Sequence, residues 1–97
     1  MQTEAEPSKT SKSKGKIRHL PRWNVILEND TDNFATYVIE RIVELTPLNQ
    51  DEASQKTLEA HKTGRSILLS TNLERAELYK DQFLSCRPPI SITIEPQ

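Results

Sequence analysis

The spacing of hydrophobic residues predicts a strand, a polar turn and a helix in the first part of the chain that has apolar periodicity. Residues 22–28 (RWNVILE) alternate apolar and polar side chains almost throughout, the period-two pattern of a strand with a buried face. From Phe34 onward the apolar residues recur at helical intervals. Asp32 or Asn33 can cap this helix, and Pro47 ends the helical region.

The rest of the chain predicts two further helices, each followed by a strand. Asn49 and Glu52 form the pattern of a capping box at the start of the second helix, and Gly64 suits its C-terminal end. Thr71 and Glu74 form the same pattern before the third helix. The predicted strands are residues 65–70 and 90–95. The predicted inner faces of the two helices are Ala53, Ser54, Thr57, Leu58 and His61, and Leu73, Ala76, Tyr79 and Phe83.

The order β-α-α-β-α-β is typical of an α+β two-layer sandwich, here a three-stranded antiparallel sheet with three helices. A chain of 97 residues has room for one such domain, which we assign to residues 21–97. We expect residues 1–20 to form a disordered basic extension. Residues 8–16 contain only Ser, Lys, Thr and Gly, so they cannot bury enough apolar surface to offset the entropy of ordering.

Charge is divided unevenly between these two parts. Residues 1–20 carry five basic and two acidic side chains (net +3), whereas residues 21–97 carry eight basic and twelve acidic ones (net −4). A basic tail is either a docking or nucleic-acid-binding arm or a solvated tail, and composition alone favours the second. No apolar run exceeds three residues, so the sequence predicts neither a membrane span nor a secretory signal.

The inventory of reactive residues argues against an enzyme or a metal protein. Cys86 is the single cysteine, which leaves no internal disulfide and no cysteine zinc site and fits a reducing compartment. Two glycines are too few for a loop that cradles phosphates. A small hydrolase could use His61 with Asp30 or Asp32, but no nucleophile or oxyanion donor accompanies them.

Two polar features remain as candidates for binding. One is the turn LENDTDNFATY, in which residues 29–33 hold two carboxylates and two carboxamides, and the other is His61 near the end of the second helix. Each has an ordinary structural explanation when it is considered alone. A polar turn commonly caps a helix, and a histidine at a helix C-terminus is favoured by the helix dipole.

Taken together and in order, four segments resemble the ClpS family of Clp protease adaptors. They are WNVILENDTDNFATYVIERIVEL, EASQKTLEAHKTGRSILL, ERAELY and PPISITIEP. The resemblance spans about residues 22–96 and implies the same β-α-α-β-α-β sandwich. It also implies a protein that is not an enzyme. Such an adaptor binds the free N-terminal residue (the N-degron) of substrate proteins and delivers them to an AAA+ Clp unfoldase of the ClpA or ClpC type.

The resemblance implies a site for the α-amino group of the substrate. In the family, an Asn and an acidic residue of the turn act with a His of the second helix, and Asn29 and His61 match two of these positions. Asp30 matches the first Asp of the family's Asn-Asp-Asp, but Thr31 replaces the second, so either Asp30 or Asp32 supplies the carboxylate. An ammonium group has three donors and no acceptor, and a carboxamide oxygen, a carboxylate and a neutral imidazole can satisfy it.

The resemblance also implies a hydrophobic pocket for the first side chain of the substrate. Its expected lining is Ala35, Val38, Leu48, Thr57, Ala60 and Ile90. Ala35 stands where the family commonly has a Met at the pocket mouth, and Thr57 and Ala60 stand where Met and Val often line the wall. We therefore expect a wider, less apolar pocket that discriminates less against Ile and Val, unless Phe34 or Tyr37 swings inward and refills the space.

The family docks on the N-terminal domain of its unfoldase, and the resemblance places this docking face near Glu74, Glu77 and Tyr79. We expect a cytoplasmic monomer that has no cofactor, metal, nucleic acid or membrane as a partner. The alternative is a nucleic-acid or ribosome-associated module that acts through the basic tail. Against it, the folded part is acidic, and its five aromatic residues form no visible aromatic and basic surface.

Overall fold

Residues 21–29 and 32–97 are described by a computed structural model of the chain. They form, in order, the elements β1 (Trp23–Glu28), α1 (Ala35–Leu45), α2 (Gln50–Thr63), β2 (Arg65–Thr71), α3 (Leu73–Leu84) and β3 (Ile92–Pro96). This is the predicted order β-α-α-β-α-β. The predicted extension, residues 1–20, lies outside the described residues.

The three strands form an antiparallel sheet in the order β2-β1-β3, with β1 in the centre. Val25 and Leu27 of β1 point into the core, as the period-two pattern predicts. On the opposite face of the sheet, Arg65 of β2 donates hydrogen bonds of 2.9 Å to Glu28 of β1 and to Glu95 of β3. One guanidinium therefore connects all three strands.

The helices cover the face of the sheet that carries Val25 and Leu27, and together they form one hydrophobic core. Its largest fully buried side chains are Phe83, Ile42, Ile90 and Val25. Burying a side chain of this size stabilises the fold by about 1.5–3 kcal/mol. On α3, the predicted inner residues Ala76, Tyr79 and Phe83 are buried, whereas Leu73 at the start of the helix is exposed.

The ends of α2 agree with the sequence prediction. The side chain of Asn49 accepts a hydrogen bond of 2.8 Å from the backbone N–H of Glu52, and Glu52 accepts one of 2.9 Å from the N–H of Asn49. At the other end, Gly64 has the left-handed backbone conformation (φ +103°) that glycine adopts without strain. Gly64 thereby ends α2 and is the single residue between α2 and β2.

The predicted caps of the other two helices are not the ones that the structure has. Thr71 belongs to β2, and Asn72 caps α3 by accepting a hydrogen bond of 2.8 Å from the N–H of Arg75. The N-cap position of α1 is Phe34, which makes no side-chain cap hydrogen bond. The helix thus starts later than a cap by Asp32 or Asn33 requires, and the Asn33 amide instead donates to the Pro89 carbonyl at 3.0 Å.

Candidate functional site

A cavity of about 540 Å³ opens where the end of β1, the start of α1 and the end of α2 meet. Helices α1 and α2 form an antiparallel hairpin, so the first turn of α1 lies beside the last turns of α2. The wall of the cavity is mostly apolar, and the volume lies within the range of about 300–1,000 Å³ that ligand pockets occupy. This is the strongest candidate for a binding site in the part of the chain that the structure describes.

The structure brings most of the predicted site residues together in this cavity. Those that line it are Asn29, Ala35, Val38, Thr57, Ala60 and His61. They come from three elements that are separated by up to 32 positions in the sequence, since His61 follows Asn29 by that number. Val38 and Ala60 are buried, whereas Asn29, Ala35 and His61 are exposed at the opening.

Two predicted pocket residues, Leu48 and Ile90, do not line the cavity. Leu48 lies in the connection between α1 and α2, beside Pro47 and Leu68 in a separate depression. The 11 residues of α1 span about 16 Å, and this distance separates Leu48 from the cavity at the other end of the hairpin. Ile90 has no exposed surface and belongs to the core, where its backbone N–H donates to the Phe83 carbonyl at 3.1 Å.

The residues at the polar end of the cavity are brought together by the C-terminal cap of α2. The backbone N–H of Asn29 donates to the Gly64 carbonyl at 2.8 Å, and the N–H of Gly64 donates to the Ala60 carbonyl at 2.8 Å. The end of β1 is therefore bonded directly to the end of the helix that carries His61. As a result, a carboxamide and an imidazole stand at the same edge of an apolar cavity and are both open to solvent.

The predicted carboxylate of the site is described only in part. Asp30 and Thr31 lie outside the described residues. Asp32 is exposed in the turn before α1 and does not line the cavity. Just before and within α1, Asn33 donates to the Pro89 carbonyl at 3.0 Å and the Tyr37 hydroxyl donates to the Pro88 carbonyl at 2.8 Å.

Glu28 contributes a carboxylate that the sequence analysis did not assign to the site. It lines the cavity next to Asn29, and its side chain is paired with Arg65 at 2.9 Å. Burial raises the pKa of Glu28, but hydrogen bonds from Arg65 and Thr93 outweigh this effect and hold the pKa below its usual value. Glu28 therefore remains charged at neutral pH and is paired with the Arg65 guanidinium at this end of the cavity.

The other unassigned lining residues are mainly apolar and come from β1, from the residues just before α1 and from the two helices. The cavity is completed by Leu27, Asn33, Phe34, Ile39, Ser54 and Leu58. Phe34 and Leu58 are unusually exposed for their type, at 84% and 51% of their surface. Their position at the opening explains why these two apolar residues are not part of the core. Tyr37, in contrast, is held by Pro88, which argues against an inward swing of its ring.

One polar atom lies within the apolar wall. The Thr57 hydroxyl oxygen is buried, and no hydrogen-bond partner for it exists among the residues that the structure describes. Thr57 lines the cavity one helical turn before His61. The wall is therefore less apolar than its composition of Leu, Val, Ile and Ala residues would make it.

The predicted docking residues on α3 divide into two groups. Glu74 and Glu77 are exposed and line a shallow depression with Arg75 and Leu78. Tyr79 is 7% exposed and packs in the core, so its side chain is not available for a docking surface. The reason is the helical period, which aligns Tyr79 with the inward-facing Ala76 and Phe83.

Two searches of the described residues were negative. Within residues 21–29 and 32–97, no group of three or more His, Cys, Asp and Glu side chains is placed to hold a metal ion. In the same ranges, no helix has the length and hydropathy that crossing a membrane requires.

Comparison with known proteins gives a consistent family. The model of the family described as ATP-dependent Clp protease adaptor protein ClpS matches residues 18–88. The ATP-dependent Clp protease adapter protein ClpS of Synechococcus elongatus is 33% identical over 97 residues, which cover 99% of this chain and 96% of the relative. ClpS of Gloeobacter violaceus is 33% identical over 78 residues, covering 79% and 82%. Agrobacterium tumefaciens ClpS2, solved bound to L-phenylalaninamide, has a similar fold with a TM-score of 0.73 and 18% identity, covering 79% of this chain and 98% of that one.

Proposed function

The chain belongs to the ClpS family of adaptors of the ATP-dependent Clp protease, and we propose that it binds the free N-terminal residue of substrate proteins and delivers them to a Clp unfoldase. The family consists of adaptors and not of enzymes. We therefore assign residues to substrate binding and to docking on the unfoldase, and no residue to a chemical step.

The observation that carries the proposal is the cavity, which is polar at one edge and apolar inside. An N-terminal residue has the complementary form: a charged ammonium group attached to a side chain that, in many residues, is apolar. The exposed Asn29 and His61 can accept hydrogen bonds from the ammonium while the side chain enters the space beside Val38 and Ala60.

The ligand of the structural neighbour supports the same assignment. L-phenylalaninamide, to which Agrobacterium tumefaciens ClpS2 is bound, carries a free α-amine, a benzyl side chain and an amide in the position of the next peptide bond. It therefore has the features of the first residue of a protein. A cavity of about 540 Å³ admits a side chain of this size.

We assign the α-ammonium group to Asn29, His61 and one acidic residue of the turn, either Asp30 or Asp32. The imidazole of His61 accepts in its neutral form, and the carboxylate neutralises the charge of the ammonium. These acceptors attract a free amine, whereas an acetylated amine has no charge and only one N–H to donate to them.

For delivery, we assign the partner to a Clp unfoldase of the ClpA or ClpC type. Docking would use the exposed side of α3, where Glu74 and Glu77 lie beside Leu78. Residues 1–20 would hand the substrate to the unfoldase. The net charge of +3 on this extension gives it a chemistry different from that of the acidic folded part.

Peptides that differ only in acetylation of the N-terminus test the proposal. Acetylation removes the charge and two donors and leaves acceptors unpaired, so we expect it to weaken binding by at least about 2 kcal/mol. His61→Ala should weaken binding of the free peptide while changing the melting temperature little, because His61 is exposed. Gln55→Ala, at an exposed position of the same helix outside the cavity, is the matched control. Equal affinity for free and acetylated peptides would refute the proposed amine site.

A further inference from the structure

The hydroxyl of Thr57 lacks the hydrogen bond that the hydroxyls of two other threonines, Thr46 and Thr63, make. The Thr46 hydroxyl donates to the Ile42 carbonyl at 2.7 Å, and the Thr63 hydroxyl donates to the Glu59 carbonyl at 2.8 Å. Both use the carbonyl four residues earlier, the common partner of a threonine in or after a helix. The Thr57 hydroxyl oxygen is buried but has no such bond, nor any other with the described residues.

An unpaired buried hydroxyl is unfavourable, because it has lost its bonds to water and gained none. A ligand atom that pairs with it restores the lost interaction. The gain is larger than for a hydroxyl at the surface, where water already satisfies the group. The apolar surroundings of Thr57 therefore make its hydroxyl a potential point of discrimination between ligands.

The position of Thr57 selects the part of the ligand that it contacts. Thr57 precedes His61 by one turn of α2, which is about 5.4 Å along the helix axis. With the α-amine at His61 and Asn29, Thr57 lies at the level of the side chain of the first residue and not of its backbone. The hydroxyls of Ser and Thr lie too close to their own α-amine to reach this level. A tyrosine carries its hydroxyl at the far end of a rigid ring.

We infer that Thr57 is a specificity-determining residue and that it favours tyrosine over phenylalanine as the first residue of the bound protein. This inference rests on the proposed function, because it assumes that the N-terminal residue occupies the cavity. The two residues differ only by the phenolic hydroxyl. The hydroxyl of Thr57 can donate to it or accept from it, so the pair forms in either orientation.

The test compares Tyr- and Phe-initiated peptides of otherwise identical sequence on the full-length chain. We expect the wild type to bind the Tyr peptide about two- to tenfold more tightly, the range that one hydrogen bond supplies. Thr57→Val keeps the shape and removes the hydroxyl, so it should abolish the preference. Thr57→Ser retains the hydroxyl and should preserve it.

A control on the same helix shows whether losing any threonine hydroxyl is enough to change the Tyr-to-Phe ratio. Thr63→Val removes a hydroxyl that is already bonded within the protein, to Glu59 and to the Arg65 carbonyl at 3.0 Å. It should lower the melting temperature and leave the Tyr-to-Phe ratio unchanged. Thr57→Val should not lower the melting temperature of the ligand-free protein, because it removes a buried group without a partner.

The possible outcomes distinguish this inference from the proposed function. Equal affinities for Tyr and Phe in the wild type overturn the role of Thr57, and the proposed function stands if both peptides still require a free amine. A Tyr preference that survives in Thr57→Val assigns discrimination to another residue and also overturns the inference. If neither peptide binds with a free or an acetylated amine, the proposed function fails and the inference fails with it.

Discussion

Replacing Ala35 by methionine should restore a barrier at the mouth of the cavity. Ala35 is the first residue of α1 and lines the opening, where its side chain is exposed. A methionine there extends an unbranched, adaptable thioether over the space that the first side chain of a substrate enters. Residues branched at Cβ, such as Ile and Val, would meet this chain with their second substituent. Leu is branched one atom further out and would pass it.

The size of the effect follows from the contacts that change. One contact of the size of a methylene group is worth about 0.8 kcal/mol, which corresponds to about a fourfold change in affinity. We therefore expect Ala35→Met to raise the ratio of Leu to Ile affinity about fourfold, and more if the clash forces the ligand to shift. Phe and Leu should gain slightly, because methionine adds apolar surface to the rim.

Fluorescence anisotropy with Leu-, Ile-, Val- and Phe-initiated peptides measures these ratios directly. Thr36→Met is the matched control, since Thr36 is exposed, follows Ala35 immediately and does not line the cavity. If Ala35→Met and Thr36→Met give the same Leu-to-Ile ratio, position 35 is not the gate. Phe34→Ala then tests the other candidate for the gate, because Phe34 lies at the same opening and is 84% exposed.

Two further predictions concern the tail and the sheet. Deleting residues 1–20 should leave peptide affinity unchanged and abolish delivery to the protease. A peptide-binding assay measures the first effect, and a degradation assay with the partner unfoldase measures the second. Loss of peptide binding would show that the site has been misplaced. Glu28→Gln should destabilise the protein at neutral pH, and the difference in melting temperature from wild type should shrink in acid. Because the pKa of Glu28 is lowered in the folded state, the ionised carboxylate contributes fully to stability above about pH 4.3. This contribution is lost as the pH falls through the pKa of the folded state. A difference in melting temperature that stays constant down to about pH 3 would contradict this account.

Local patterns were sufficient to predict the elements because each pattern has a local cause. Both ends of α2 follow from three residues, Asn49, Glu52 and Gly64, whose capping hydrogen bonds and backbone angle belong to the helix itself. The start of α1 was not predictable in this way. Asn33 bonds to Pro89, which is 56 positions away in the sequence, and such a contact competes with capping without leaving any local signal.

The lining of the cavity was predicted only in part, for a similar reason. Asn29 follows the end of β1 and His61 lies close to the glycine that ends α2. Both boundaries are marked in the sequence, so the positions of these two residues depend little on packing. Leu48 and Ile90 were assigned by position in the family pattern, and their separation from the cavity depends on the direction of the helical hairpin and on the depth of the core. The unpaired state of the Thr57 hydroxyl is likewise a property of packing, since its residue type alone predicts a bond to the preceding turn.

The two halves of the proposed site have different structural origins, and this decides how the specificity of the chain can change. The polar edge depends on the backbone: Asn29 bonds to Gly64, whose φ of +103° is unfavourable for any residue with a Cβ even though a Cβ there would meet no atom within 4 Å. The pocket wall instead consists largely of side chains on two helices, whose backbone geometry does not require the particular residues at positions 35, 57 and 60. Substitutions in the wall can therefore alter which first residue is preferred while the grip on the amine persists. Ala35, Thr57 and Ala60 depart from the pattern that the family resemblance implies for the wall, whereas at the polar edge Asn29 and His61 keep that pattern and Thr31 departs from it.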